Sequence, residues 1–327
     1  MTTIADVATR AGVSKATVSR VFSRPQTVRP ETRDRVLATA RDLSFQPSRI
    51  ARSLARGRTG SIGLVVPDVA NPYFGPVIKA VQREARRQEL TVFTADSDEF
   101  DADEFTLSST LALQADGLIL FSPRMPDEAV LELCDRLPVV VVNRDIPGVP
   151  GVIISSDEGV DQAVEHLAAL RHQRIAYISG PSGTYSNRAR AAAVQAAAEK
   201  FAVELVVLGP FEPFFTSGIR AGDLLIASGA TGAIAYNDLL ALGVIQLLTD
   251  RGLKVGSDIS VVGFDDIWLA PMTRPPLTTV HAPAPAAAAT ALRWLIEMIN
   301  EPGPHGDRAA RLTCELMVRS STGPAPS

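Results

Sequence analysis

Short β-branched runs alternate with helical stretches from residue 61 onward, and this alternation constrains the fold of the 327-residue chain more than any other feature. Apolar strands separated by helices form parallel sheets that are covered on both faces. We predict eight strands, enough for two doubly wound lobes, at residues 62–66, 90–95, 117–121, 139–142, 175–179, 205–208, 233–236 and 260–264. Helices are expected between them, for example at 77–88, 159–170, 189–201 and 239–251.

The charge of the chain is unevenly distributed. Residues 1–60 hold 12 Arg and Lys against four Asp and Glu, a net of +8, whereas the remainder holds 20 against 32, a net of -12. A basic patch confined to one small module is typical of phosphate binding. The alternative is a pair of solvated surface helices.

Three short helices are predicted in this basic segment, as an all-α helix-turn-helix headpiece. Thr3 and Ser14 are suited to cap the first two helices, and Gly12 ends the first. Val18 and Val21 face inward from the second helix, and a third helix is expected over residues 30–43.

The second helix of such a unit lies in the DNA major groove. Lys15, Ala16 and Arg20 are predicted to read base edges, because Lys and Arg donate to guanine and a small Ala meets a thymine methyl group. Hydroxyl groups nearby are expected to contact phosphates, namely those of Ser14, Thr17 and Ser19.

A basic linker follows at residues 46–57. We expect a marginal helix there that orders on DNA, with its arginines near phosphates and Leu54 wedged into the minor groove. Alternatively, it is a charged connector in which Leu54 packs on the next domain. The arginines are Arg49, Arg52 and Arg56.

Ligands of doubly wound sheets sit beyond the carboxyl ends of the strands. Polar and aromatic residues occupy those positions after four of the predicted strands, and they suit a polyhydroxylated ligand. They include Asn71, Tyr73, Phe74, Arg188, Arg190, Asn237, Asp238, Asp265 and Asp266. The alternative for Asn and Asp is that they cap the following helices, and both roles can coexist.

Several motifs resemble the LacI/GalR family of bacterial transcriptional regulators. They include residues 3–8 (TIADVA), 12–14 (GVS), 17–21 (TVSRV), 28–33 (VRPETR) and 51–54 (ARSL), and the similarity extends to 275–280 (PPLTTV) and 318–324 (VRSSTGP). The resemblance implies a homodimer that binds a pseudo-palindromic DNA operator, with paired hinge helices opening the minor groove. It also implies a periplasmic-binding-protein-like sensor for a small, sugar-like effector.

The resemblance also assigns site residues and domain boundaries. It implies effector contacts at Tyr73, Phe74, Arg190, Asn237 and Asp265, with Asn71 and Glu158 as additional candidates. The expected division is a headpiece at 1–46, a hinge at 47–59 and a sensor at 60–327, with an N-lobe of about 60–158 and 282–311 and a C-lobe of about 159–281 and 312–327. Two positions depart from the family pattern, Arg171 and Ala193, where glycine is usual.

Two other classes of protein fit the sequence less well. An enzyme is not favoured, because the chain has no GxGxxG, P-loop, GxSxG or HExxH motif and its four histidines are scattered. An exported sugar receptor is not favoured either, because the N-terminus lacks a signal-peptide pattern and the headpiece is basic.

We therefore expect a cytoplasmic regulator, most simply a repressor, with no membrane span, cofactor or metal. Cys134 and Cys314 are too isolated for a zinc site and are expected to be buried apolar residues. The identity of the effector, and whether it induces or corepresses, stay open at this point.

Overall fold

The computed structural model describes residues 2–23, 25–45, 58–99, 101–301, 303 and 308–326. The chain divides into one compact unit of residues Met1–Ser61 with Gln114–Asp116 and a second of Ile62–Leu113 with Gly117–Ser327. The predicted hinge residues lie outside the described residues. They are Arg49, Arg52, Leu54 and Arg56.

The first unit contains the three predicted helices, α1 (Ile4–Ala11), α2 (Lys15–Ser23) and α3 (Pro30–Asp42). Thr3 caps α1, since its hydroxyl accepts from the Asp6 amide while the Asp6 carboxylate accepts from the Thr3 amide. Gly12 ends α1 in a left-handed conformation, with φ +64°. The Ser14 hydroxyl accepts from the Thr17 amide at 3.1 Å. The predicted caps are therefore confirmed.

Small apolar side chains hold these helices together. Val7, Val18 and Val36, one from each helix, have no exposed surface, and four smaller or neighbouring apolar residues complete this small core. Burying a valine contributes about 1.5–3 kcal/mol, so three such residues supply much of the stability of so small a unit. The remaining members are Ala8, Ala11, Val21 and Ala40.

The second unit contains two six-stranded sheets, which define its two lobes. The N-lobe sheet has the order β11-β5-β4-β3-β1-β2, and the C-lobe sheet has the order β12-β10-β9-β8-β6-β7. The N-lobe strands are β1 (Ser61–Val66), β2 (Thr91–Asp96), β3 (Leu118–Phe121), β4 (Val139–Val142), β5 (Gly151–Ser155) and β11 (Ala309–Thr313). The C-lobe strands are β6 (Arg174–Ile178), β7 (Glu204–Leu208), β8 (Gly232–Ala235), β9 (Ser260–Asp265), β10 (Thr278–His281) and β12 (Glu315–Met317).

Helices cover both sheets and connect the strands. After β5 the chain passes into the C-lobe, after β10 it returns, and between β11 and β12 it crosses once more. The helices are α4 (Phe74–Arg87), α5 (Asp101–Ala112), α6 (Asp127–Cys134), α7 (Asp157–Ala169), α8 (Tyr185–Lys200), α9 (Phe215–Ser228), α10 (Asp238–Asp250) and α11 (Ala284–Asn300). No helix in the described ranges is both long and apolar enough to span a bilayer.

All eight predicted strands are confirmed, each to within one residue at either end, but the expectation of eight strands in total was wrong. β5 and β10 are buried strands that were not predicted. β10 begins with two polar residues, Thr278 and Thr279, whose hydroxyls make internal hydrogen bonds that the sequence does not reveal. β11 and β12 are short edge strands with alternating exposure. β12 also runs antiparallel to β10, so the C-lobe sheet is not wholly parallel.

The two cysteines and the residues at the end of α7 can be compared with the predictions. Cys314 is buried as expected, whereas Cys134 is only half-buried, which corrects the prediction for it. His172 lies just after α7, and its two ring nitrogens form hydrogen bonds with the hydroxyls of Thr231 and Ser260 at 2.8 and 2.9 Å. Arg171 has φ +69°, which is the strain expected where a glycine is usual.

Candidate functional site

A cavity of about 550 Å³, its open mouth included, lies between the two lobes of the second unit. Its lining residues follow the carboxyl ends of β1, β2, β3 and β4 on one side and of β6, β7, β8 and β9 on the other. This is where ligands bind in doubly wound sheets. Six of the seven predicted effector contacts line it: Asn71, Tyr73, Phe74, Arg190, Asn237 and Asp265.

The seventh candidate, Glu158, is not brought to this cavity. It is exposed in the first turn of α7, which begins just after β5, where the chain passes from the N-lobe into the C-lobe. A carboxylate there interacts favourably with the helix dipole, which is a structural role. Arg188 is exposed as well, two residues before the buried Arg190.

Unusual backbone conformations concentrate around the cavity. Glu99, Ser122, Asn143 and Asp265 all line it, and each has a positive φ, at +63°, +50°, +60° and +113° respectively. Such conformations cost roughly 1–3 kcal/mol per residue outside glycine and cluster at functional sites. Four of the ten non-glycine residues with a positive φ in the described ranges therefore lie in the cavity wall.

Arg190 forms the C-lobe floor of the cavity. Its guanidinium lies 3.6 Å from the centroid of the Phe264 ring and 4.7 Å from that of Tyr236, and it donates to the Tyr236 carbonyl. Its Nη2 lies 3.3 Å from Oδ1 of Asp265. Because both charged side chains are less than one tenth exposed, each depends on the other for compensation.

This pairing determines the protonation of the floor. Burial raises the pKa of Asp265 to about 6, against the opposing effect of Arg190. Burial alone would lower the pKa of Arg190, but Asp265 holds it above its usual value. At neutral pH the floor therefore presents a carboxylate beside a guanidinium, which together accept from and donate to hydroxyl groups.

Tyr73 contributes a hydrogen-bond donor from the N-lobe. Its ring packs edge-on against Phe74 and Phe121, with centroids 5.0 and 6.1 Å apart. Its buried hydroxyl makes no hydrogen bond within the described part of the chain. Burial, reinforced by Asp265, raises the pKa of Tyr73 well above its usual value, so the phenol stays protonated.

The two asparagines predicted from the sequence also form hydrogen bonds with backbone groups. Asn237 caps α10 by accepting from the Leu240 amide at 2.9 Å, and it donates to the Pro213 carbonyl at 3.0 Å. The Asn71 side chain accepts from the Tyr73 amide at 3.0 Å. The capping alternative is thus confirmed for Asn237, whereas Asn71 stabilises the turn that precedes α4. Both residues also lie in the cavity wall.

Asp238, next to Asn237, lies beneath the cavity and not in its wall. One carboxylate oxygen accepts from the Thr279 hydroxyl at 2.6 Å and the other from the Ile267 amide at 2.8 Å. Burial raises the pKa of Asp238 well above its usual value. Its role is to hold β10 and the segment after β9 in place below the floor.

Several wall residues escaped the sequence analysis. Asn143 donates to the hydroxyls of Ser122 and Ser186 at 3.0 Å each, and the second of these bonds joins the N-lobe to the C-lobe. Asn143 directly follows β4, so the rule that located the other candidates would have found it. Glu99 and Arg124, which follow β2 and β3, also line the wall, and no local sequence signal indicates that they form an ion pair.

A second candidate site is the outer face of α2. Ser14, Lys15, Ala16 and Arg20 are exposed there. Thr17 and Ser19 are half-buried between this face and the small core. The face combines two cations with hydroxyl groups, which suits contacts with base edges and phosphates.

Residues 3–48 match the sequence profile of bacterial regulatory proteins of the lacI family, and residues 164–322 match a periplasmic binding protein-like domain. The chain is 32% identical to the HTH-type transcriptional repressor PurR of Aliivibrio fischeri, over 98% of each chain. The chain belongs to the lacI family. This lacI-family regulator therefore combines a helix-turn-helix headpiece with a two-lobed ligand-binding domain.

Solved structures agree with this assignment. The lac repressor dimer bound to operator and the anti-inducer ONPF has a TM-score of 0.86 and 28% identity, over 98% of this regulator and 99% of that chain. A LacI family regulator from Enterococcus faecium with bound ribose has a TM-score of 0.73 and 26% identity, over 81% of this regulator and all of that chain. The predicted family, fold class and class of function are confirmed.

Proposed function

We propose that this lacI-family regulator is a cytoplasmic repressor without catalytic turnover, divided into a headpiece at 1–46, a hinge at 47–59 and a sensor at 60–327. As a homodimer it binds a pseudo-palindromic operator, and a small sugar-like effector in the interlobe cavity changes its operator affinity. The observation that carries this proposal is the cavity itself, which both lobes line with polar groups. A ligand there has different contacts in different lobe arrangements, as an allosteric switch requires.

The headpiece is proposed to read DNA through the exposed face of α2. Lys15, Ala16 and Arg20 contact base edges, and the hydroxyls of Ser14, Thr17 and Ser19 contact phosphates. The hinge residues stay a prediction from the sequence, with Leu54 as the minor-groove wedge. They are Arg49, Arg52, Leu54 and Arg56.

Replacing Arg20 with Ala is expected to weaken binding to the preferred duplex by about 5- to 150-fold, because a good contact to a base contributes about 1–3 kcal/mol. The duplex is first selected from a random pool by the wild-type protein, and fluorescence anisotropy at fixed salt gives the affinities. Arg87→Ala, which removes an exposed arginine from α4 in the sensor, is the matched control. Equal losses in both variants would contradict the assignment of Arg20.

The cavity suits a polyhydroxylated effector, and the ribose-bound relative supports this choice. A hydroxyl group both donates and accepts, so it can accept from Tyr73 while donating to Asp265. The buried Tyr73 hydroxyl gains a partner that the described residues do not supply. Aromatic rings from both lobes, those of Tyr73, Phe74 and Tyr236, cover apolar sugar surface.

The direct test combines a ligand screen with DNA binding. Sugars, polyols and purines are screened by thermal shift, and the compound with the largest shift is added to the complex with the selected duplex. We expect a change in operator affinity between several-fold and about 150-fold. Weaker binding would identify induction and tighter binding corepression, whereas an unchanged affinity with every shifting compound would refute the proposed switch.

Effector affinity is expected to fall in mildly acidic solution. With a pKa of about 6, Asp265 is ionised at pH 7.5 and about nine-tenths protonated at pH 5, so it loses its role as acceptor and its pairing with Arg190. Affinity should stay level above pH 7 and drop about tenfold by pH 5, as measured by calorimetry with the compound from the screen. Asp265→Asn is expected to bind weakly at both pH values, and a flat wild-type profile would contradict the role of Asp265.

A further inference from the structure

Resting on the function proposed above, we infer that Glu99 selects the charge class of the effector. By pairing with Arg124 at the N-lobe wall, it leaves no free cation among the described residues that line the cavity, and it directs the site toward uncharged polyols. Sugar phosphates and other anions are thereby excluded.

The charges of the cavity wall balance. Among its described lining residues are two arginines, Arg124 and Arg190, and two carboxylates, Glu99 and Asp265. Each arginine is paired with one of the carboxylates, Arg124 with Glu99 on the N-lobe and Arg190 with Asp265 on the C-lobe. An anion entering this cavity therefore meets a carboxylate wherever it meets a guanidinium.

The N-lobe pair is largely shielded from solvent, and one ion pair and one hydrogen bond to the backbone join its two residues. Nη2 of Arg124 pairs with the Glu99 carboxylate, and Nη1 donates to the Glu99 backbone carbonyl at 3.0 Å. The side chains are only 15% and 10% exposed. An anion that displaced Glu99 would leave a largely shielded carboxylate without its cation, and this loss strongly disfavours anion binding.

The surrounding loop holds Arg124 in this arrangement. A single oxygen of the buried Glu104 carboxylate accepts from the backbone amides of Arg124 and Met125, at 2.7 Å each. Glu99 has a left-handed backbone conformation, with φ +63°, which is uncommon for a glutamate. The surrounding fold must therefore stabilise this conformation. Both ends of the pair are thus positioned by the fold before any ligand binds.

Hydroxyl groups have no such conflict with the wall. A neutral hydroxyl can donate to a carboxylate or accept from a remaining guanidinium N–H without disturbing either ion pair. A phosphate offers mainly acceptor oxygens and two negative charges, so it is repelled by Glu99 and Asp265 at close range. Removing the charge of Glu99 should convert Arg124 into an anion-binding group.

The test compares wild type with Glu99→Gln in thermal-shift titrations. The probes are inorganic phosphate, D-ribose 5-phosphate and D-ribose, and sodium chloride at matched ionic strength is the salt control. We expect neither anion to stabilise the wild type more than sodium chloride does, whereas Glu99→Gln gains affinity for both of about tenfold or more. Glu99→Asn is a second variant, because asparagine fits the left-handed backbone at this position and also removes the charge.

Two further variants isolate the cause. Glu99→Gln/Arg124→Gln should lose the gain, and Glu212→Gln should not produce it, since it removes an exposed charge near Arg124 without touching the ion pair. The inference is overturned if either anion stabilises the wild type more than sodium chloride does, or if no Glu99 variant gains anion binding. Binding of the selected duplex is measured separately, so a failure of the regulator proposal stays distinguishable.

Discussion

Arg190→Ala is expected to lower effector affinity by about 100-fold or more while DNA binding in the absence of effector is retained. The guanidinium stacks on Phe264, bonds to the Tyr236 carbonyl and compensates Asp265. Its removal leaves a buried carboxylate unpaired at the floor of the cavity, and truncating one partner of such a pair costs about 2–5 kcal/mol or more. The headpiece is a separate compact unit with its own core, so its contact surface should survive.

Calorimetry with the compound from the thermal-shift screen measures the loss, and anisotropy with the selected duplex measures DNA binding. Arg188→Ala is the matched control, because Arg188 lies on the same helix but is exposed. Arg190→Lys keeps the positive charge but loses the planar stacking, and is expected to fall between wild type and Arg190→Ala. A fully responsive Arg190→Ala protein would show that the floor does not bind the effector.

Gly243→Ala is expected to destabilise the C-lobe by about 3 kcal/mol or more, the upper range for overpacking. The helices α9 and α10 cross with their backbones in close contact. A Cβ atom at Gly243 would overlap the Phe215 carbonyl oxygen and lie 2.8 Å from Cα of Gly218. Because backbone atoms cannot move aside as a flexible side chain can, the two helices would have to separate.

Urea unfolding of the full chain measures this effect, followed by tryptophan fluorescence and circular dichroism. Gly75→Ala provides the control, since a Cβ there meets nothing within 4 Å and it also lies in a helix, α4. We expect Gly75→Ala to stay within about 1 kcal/mol of wild type, on the stabilising side. If Gly243→Ala were equally mild, the close crossing of α9 and α10 would be refuted.

Features that depend only on neighbouring residues in the chain could be predicted from the sequence alone. Thr3, Gly12 and Ser14 act within one helical turn, so their capping roles follow from residue type and spacing. Six of the eight predicted strands were equally clear, because burial on both faces requires continuous apolar runs. β2 and β7 lie at the sheet edges without a buried residue, and their β-branched residues gave the prediction. The helices α4 and α8 begin three or four residues earlier than predicted, since the start of α8 depends on a cap by Thr184 that was overlooked.

The sequence by itself determined the βα alternation, the basic headpiece and six residues of the cavity wall, because periodicity, charge and position after a strand are local properties. Only the tertiary structure decided that Arg190 pairs with Asp265, that Glu99 pairs with Arg124, and that Glu158 stays outside. These outcomes depend on which loops the two sheets bring together across distances of 25 to 75 residues in the chain. No local rule encodes that proximity, so the charge balance of the cavity emerges only from the folded molecule.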